Sequence, residues 1–168
     1  IIDAVSAERI ENDVTKLANF GTRHTLSDTV SNTRGIGAAR RWIKSEFEKT
    51  SAACNSCLTV FFQKDLVKKG ANNRIVKDVE VVNVLAIQKG TKYPNRYIIM
   101  SGDIDSRVSD PTNYTDDSPG ANDNASGMAG TLEAARVLSK YTFENSIIYM
   151  GLSGEEQGLF GGGLSLIH

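Results

Sequence analysis

Histidine and cysteine are scarce in this chain, with two of each among 168 residues. A self-contained Cys/His zinc shell needs about four such donors per ion, and no second Cys/His pair accompanies Cys54 and Cys57. No run of about 18 apolar residues exists, so no membrane-spanning helix is expected. A strong charge bias is also missing. The formal net charge is -1, which argues against nucleic acid or an anionic membrane as the main partner. No internal repeat and no low-complexity tract interrupts the chain. The first residues, Ile1-Ile2-Asp3, contain no initiator Met. They read as a processed or trimmed N-terminus, for which a removed signal peptide is one route.

What is present is ordinary for one globular domain: 40% hydrophobic and 23% charged residues. A chain of this length can bury a real core without staples. For the pair Cys54-Asn55-Ser56-Cys57, a zinc site lacks partners. A thioredoxin-like redox pair should follow a strand and open a helix, whereas this one follows a helical stretch. A short structural disulfide in an exported protein is preferred, with two free thiols next. The expected location is secreted or periplasmic.

Hydrophobic periodicity predicts a helix over 4–20, stopped by Gly21, then a polar loop over 22–33 and a second helix over 36–49. Strands are predicted at 58–63, 79–87 and 96–101, with a basic, exposed connection over 64–77. A long polar loop over 103–122 precedes a helix over 125–138. A strand over 146–152, a loop over 153–158 and a helix from Leu159 follow; Gly161-Gly162-Gly163 weakens that last helix. The alternation of strand and helix in the second half implies α/β architecture, a mostly parallel mixed sheet flanked by helices. Such sheets bind ligands beyond the carboxyl ends of their strands.

Three acidic clusters fall at that edge. Asp103 and Asp105 follow the strand containing Tyr97-Ile98-Ile99-Met100, and residues two apart in an extended segment point the same way. Asp123 and Asn124 open a helix. Glu155 and Glu156 follow the strand ending in Met150-Gly151-Leu152. Singly, each has an ordinary explanation as solvated loop, helix cap or charged turn. Together they form an oxygen-donor set that suits divalent metals. Adjacent glutamates make sense if one ligates a metal and its neighbour takes a proton from water.

The segments SGDIDSR, PGANDNASG and SGEEQGLFG, with the intervening GMAGTLEAARVL, resemble the co-catalytic zinc aminopeptidases of the bacterial leucyl aminopeptidase type, relatives of glutaminyl cyclases. FGTRHT and AARRWIKSEF are similar to the N-terminal parts of that family more loosely. The resemblance implies a zinc-exopeptidase, phosphorylase/hydrolase-like fold, of which residues 1–168 would be the N-terminal portion. It implies that Asp123 bridges two zinc ions, that Glu156 ligates one of them, and that Glu155 is the general base. Asp105 would be the acid that orients residue 103, or the metal itself. Gly120 and Gly127 would permit close backbone approach. The substrate would be a peptide with a free N-terminus.

Two departures from the family pattern matter. Asp103 stands where the family usually has histidine. A carboxylate can ligate zinc, but it adds negative charge beside Asp105. Two zinc ions belong to the complete family site; one or none is expected if the Asp103 side is lost. The family also draws an aspartate and a histidine from segments well beyond the paired glutamates. His168 follows Glu156 by only twelve residues and is expected at the surface, while His24 reads as structural or surface. The chain is therefore expected to be a fragment, or one piece of a longer enzyme that supplies the C-terminal half of the domain. Its last apolar strand is then expected to present an open edge. Besides aminopeptidase chemistry, the resemblance leaves a mono-zinc glutaminyl cyclase and a catalytically degenerate binding homologue as alternatives.

Overall fold

The computed structural model describes residues 1–166, with side chains through 164; His168 lies outside the described residues. After a short helical turn at Ile2–Ala4, the order is α1 (Ala7–Ala18), α2 (Gly35–Ala53), β1 (Leu58–Val67), β2 (Val79–Gln88), β3 (Tyr93–Asp103), α3 (Ser126–Leu138), β4 (Asn145–Leu152) and α4 (Phe160–Leu166). Ser6 caps α1 through its hydroxyl, which accepts from the Arg9 amide at 3.2 Å. Glu133 of α3 accepts from the Ser6 amide at 2.7 Å and pairs with Arg136, so the start of α1 is tied to α3.

The four strands form one mixed sheet in the order β1-β2-β4-β3. The predicted strand–helix–strand crossover is present: β3 and β4 are parallel, joined through α3. The pairings β1–β2 and β2–β4 are antiparallel. The expected open edge at the last strand is corrected by this order. Because the crossover returns β4 between β2 and β3, β4 is interior, and β3 takes the edge. The first strand also runs four residues beyond the predicted Gln63, since Lys64–Val67 pair with Val82–Val79. Charged Lys64 and Asp65 suit that position, because β1 is the other edge.

α1, α2 and α3 cover one face of the sheet. Leu17, Ile43, Phe47, Met128 and Leu132 close against Val84, Ala86, Ile147 and Tyr149 in a single core. Cys54 and Cys57 are joined by a disulfide at the end of α2, their Cα atoms 5.4 Å apart, as preferred from the sequence. The opposite face carries an apolar trough of about 880 Å³ lined in part by Phe61, Leu85, Ile87, Ile99, Ile148 and Met150, with Leu159 and Gly162 at its rim. No helix among the described residues is long and apolar enough to cross a membrane.

Candidate active site

Because β3 and β4 run parallel, their carboxyl ends emerge side by side, with Asp103 paired in register to Leu152. The Ile104 amide donates to the Leu152 carbonyl at 2.7 Å and holds the two outgoing loops together. The third acidic segment arrives from the crossover. Residues 121–125 form an irregular turn that leads into α3, with Asp123 and Asn124 outside helical geometry and the peptide bond between them cis. Gly127 leaves room for Asn124: a Cβ there would sit 2.2 Å from the Asn124 carboxamide oxygen, which accepts from the Gly127 amide, so the side chain would have to move.

Asp105 is the buried centre of the arrangement, with 1% of its surface exposed. Its carboxylate accepts from the Glu155 amide at 3.3 Å, the Glu156 amide at 3.1 Å and the Thr25 hydroxyl at 2.9 Å. Burial pushes the acid up to about 7, and these three donors work in the opposite direction by stabilising the ionised form. These bonds show which partners Asp105 holds in this structure. Its bonds orient the Glu155–Glu156 loop. The strand ends at Asp103, so the two-residue alternation that would point both side chains one way stops there.

Asp103 is half-buried and accepts from the Asn124 carboxamide at 3.1 Å. Glu156 is held by the Arg107 guanidinium, whose Nη1 also donates to the Val108 carbonyl at 3.1 Å. Asp123 is exposed. Glu155 is half-buried, and its carboxyl is raised above the ordinary range, first by burial and then by the charges of Glu156, Asp103 and Asp123, with Arg107 opposing. Glu156, Asp103 and Asp123 therefore lie within electrostatic reach of Glu155.

As donors for a divalent metal, Asp103, Asp123 and Glu156 fit in chemistry and in charge: three carboxylates on adjacent loops form an excess of negative charge that a cation would neutralise. They do not close a shell by themselves. Among the described residues, no three His, Cys, Asp or Glu side chains are gathered closely enough to hold a metal ion. Two of the three donors are engaged instead by Asn124 and Arg107.

Several functional neighbours escape a reading of the sequence. Arg107 follows the acidic motif yet shows its role only through its bond to Glu156. His24, expected to be structural or surface, is fully buried. Its Nδ1 accepts from the Leu26 amide at 3.0 Å, and its Nε2 bonds the Pro111 carbonyl at 3.1 Å, where Gln157 also donates at 2.8 Å. Burial holds His24 below its usual range, in keeping with a neutral ring. Together His24 and Gln157 tie the polar loop after β3 to the loop carrying Glu155 and Glu156. Only the similarity of FGTRHT to family N-termini marks this region in the sequence.

Residues 83–164 match the model of Peptidase family M28. A probable zinc metalloprotease of Pyrenophora tritici-repentis is 50% identical over 161 residues, which are 96% of this chain and 33% of that protein. A probable zinc metalloprotease of Leptosphaeria maculans is 44% identical over 163 residues, 97% of this chain and 37% of that protein. The chain thus spans about a third of the length of the curated relatives it matches. Among solved structures, an aminopeptidase from Aneurinibacillus sp. strain AM-1 superposes with a TM-score of 0.70 at 15% identity, over 96% of this chain and 66% of that one. The glutaminyl cyclase of Porphyromonas gingivalis superposes at 0.68 with 21% identity, over 95% of this chain and 49% of that one. At such identities these two likenesses speak to the fold.

Proposed function

We propose that this chain, whose residues 83–164 match the model of Peptidase family M28, is the N-terminal catalytic portion of a zinc-dependent aminopeptidase. The observation that carries this reading is the pinning of the Glu155 and Glu156 amides by buried Asp105, at the carboxyl ends of two parallel strands. Asp123, Glu156 and Asp103 would contribute the carboxylate donors for zinc, and the rest of the shell would come from elsewhere in the longer polypeptide. Zinc, when bound, polarises a carbonyl and lowers the pKa of water towards about 7. Glu155 takes a proton from the attacking water and returns it to the leaving amine of the first peptide bond. Its loop is fixed through backbone amides, so the carboxyl is held in position while remaining free to exchange protons. The free amine of the substrate is cationic, and the surrounding carboxylates favour it.

The remainder of the domain would cover the apolar trough on the open face of the sheet and continue from the edge of β3. Tyr97, Ile98 and Ile99 are exposed there, although interior parallel strands are apolar on both sides. The length of the relatives, about three times the matched part, supports this occupant. Export from the cell is part of the proposal and accords with the Cys54–Cys57 disulfide.

The test uses the full-length polypeptide: zinc per chain by elemental analysis, with turnover of an aminoacyl anilide and of an N-terminal glutamine peptide. Bound zinc with release of the anilide is expected. Cyclisation of the glutamine peptide without anilide hydrolysis would replace the proposal with a mono-zinc cyclase. Neither reaction, with zinc supplied, would leave a degenerate binding homologue.

A further inference from the structure

Arg23 is fully buried, the largest side chain among those enclosed, yet the proposed chemistry does not use it. Its guanidinium donates Nε to the Ile104 carbonyl at 2.7 Å, Nη1 to the Leu17 and Pro119 carbonyls at 3.0 and 2.6 Å, and Nη2 to the Gly120 carbonyl at 2.9 Å. Its backbone amide donates to Ser106 Oγ at 3.1 Å, and that hydroxyl donates on to the Ser118 carbonyl at 2.6 Å. Three separate segments therefore meet on one side chain: the end of α1, the residue between Asp103 and Asp105, and the residues leading to Asp123.

Enclosing a guanidinium is unfavourable unless its N–H groups find acceptors. Here they find four carbonyls, and the charge of buried Asp105 favours the guanidinium. A core position that needed only volume would be filled by an apolar side chain. The planar fork does what an ammonium cannot, since it reaches three directions at once with fixed geometry. The partner backbone is shaped to receive it. Gly120 adopts φ +46°, and a Cβ there would meet Nη2 at 3.1 Å and the Asp123 carbonyl at 2.5 Å. The Gly120 carbonyl also accepts from the Ala125 amide at 3.1 Å, so Arg23 and the turn bearing Asp123 share one acceptor.

We propose that Arg23 is a positioning residue that sets the Asp123 turn against the Asp103–Asp105 segment, and so fixes the relative placement of carboxylates that arrive on different loops. The proposal rests on the zinc-peptidase reading for its catalytic meaning, but the clamp can be read out without it.

The experiment compares wild type, Arg23→Lys and Arg23→Met in the full-length polypeptide. Hydrogen exchange is followed over residues 119–126 and 103–106, with thermal melting, zinc affinity by chelator competition and anilide turnover in parallel. Arg23→Lys keeps the charge and loses the fork. It is expected to speed exchange over 119–126 by about tenfold or more, beyond any change in α2 or β2, and to weaken zinc binding. Arg23→Met is expected to do the same. Exchange raised evenly across the whole molecule, or unchanged over 119–126, would overturn the clamp. Local loosening with unaltered zinc affinity and turnover would overturn the positioning role while leaving the peptidase reading intact. Local loosening in a wild-type background that binds no zinc would uphold the clamp and remove the peptidase reading.

Discussion

The Asp105 carboxylate holds the Glu156 amide at 3.1 Å, from a position where Asp105 itself is closed to solvent. The bond joins the segment after β3 to the loop after β4 and holds the paired glutamates' backbone in place. Replacing it with Ala would leave the Glu155 and Glu156 amides and the Thr25 hydroxyl without their acceptor. Asp105→Ala is expected to lose on the order of 3 kcal/mol of stability, with Asp105→Asn intermediate because it keeps one acceptor oxygen. Denaturant unfolding of the two variants checks the order; equal midpoints would argue against this role.

Asn83 interrupts the apolar run of β2 and is fully buried. Its oxygen accepts from the Ser153 amide at 3.0 Å, and its nitrogen donates to the Gly161 carbonyl at 2.9 Å. It anchors both the start of the Glu155 loop and α4. Asn83→Leu preserves size but strips these two partners and the bond to Gln63 at 3.2 Å as well. A loss of roughly 2–4 kcal/mol is expected, measured by chemical denaturation, although Leu is the more apolar residue.

Asp13 is raised to about 6, first by burial and then by Glu46 and Glu133, with Arg9 and Arg136 opposing. A carboxyl whose folded pKa lies above its unfolded value binds its proton more tightly in the native state. Its contribution is therefore greatest below the unfolded pKa and declines as pH rises towards about 6. Asp13→Asn is expected to flatten this decline and to raise stability at pH 8 relative to wild type. Unfolding midpoints at pH 4.5 and pH 8 measure it; a variant that loses stability equally at both would contradict the assignment.

Ile99 is 56% exposed on the β3 edge, and its side lines the apolar trough. If the rest of the domain covers that face, Ile99→Ala should cost roughly 2–4 kcal/mol in the full-length polypeptide. In the 168-residue chain it should cost less than about 1 kcal/mol. Equal effects in the two would argue against coverage of this face.

Local signals carried the elements well. α1 ends at Ala18, two residues short of the expected Phe20, with Gly21 in the left-handed region just beyond, and the crossover from β3 through α3 to β4 follows from alternating periodicities. The three acidic loops at one sheet edge were legible for the same reason, since a parallel pair must send both carboxyl ends the same way. Pairing partners were not legible. The run ending in Leu152 reads as a strand but does not say that it inserts between β2 and β3, because strand order is set by long-range packing. Nor does Arg23 announce that its acceptors lie some 80 to 100 residues away in Ile104 and Gly120. Arg107 is likewise far from Glu156 in sequence and looks like an ordinary surface charge until the two meet.

In the proposed mechanism Glu155 moves the proton while its neighbours hold the metal. The most direct measurement is anilide turnover by full-length Glu155→Gln beside wild type, with zinc per chain determined on the same samples. Turnover is predicted to fall about a thousandfold with zinc content unchanged. Turnover within a few-fold of wild type, or loss of zinc in step with activity, would contradict the account.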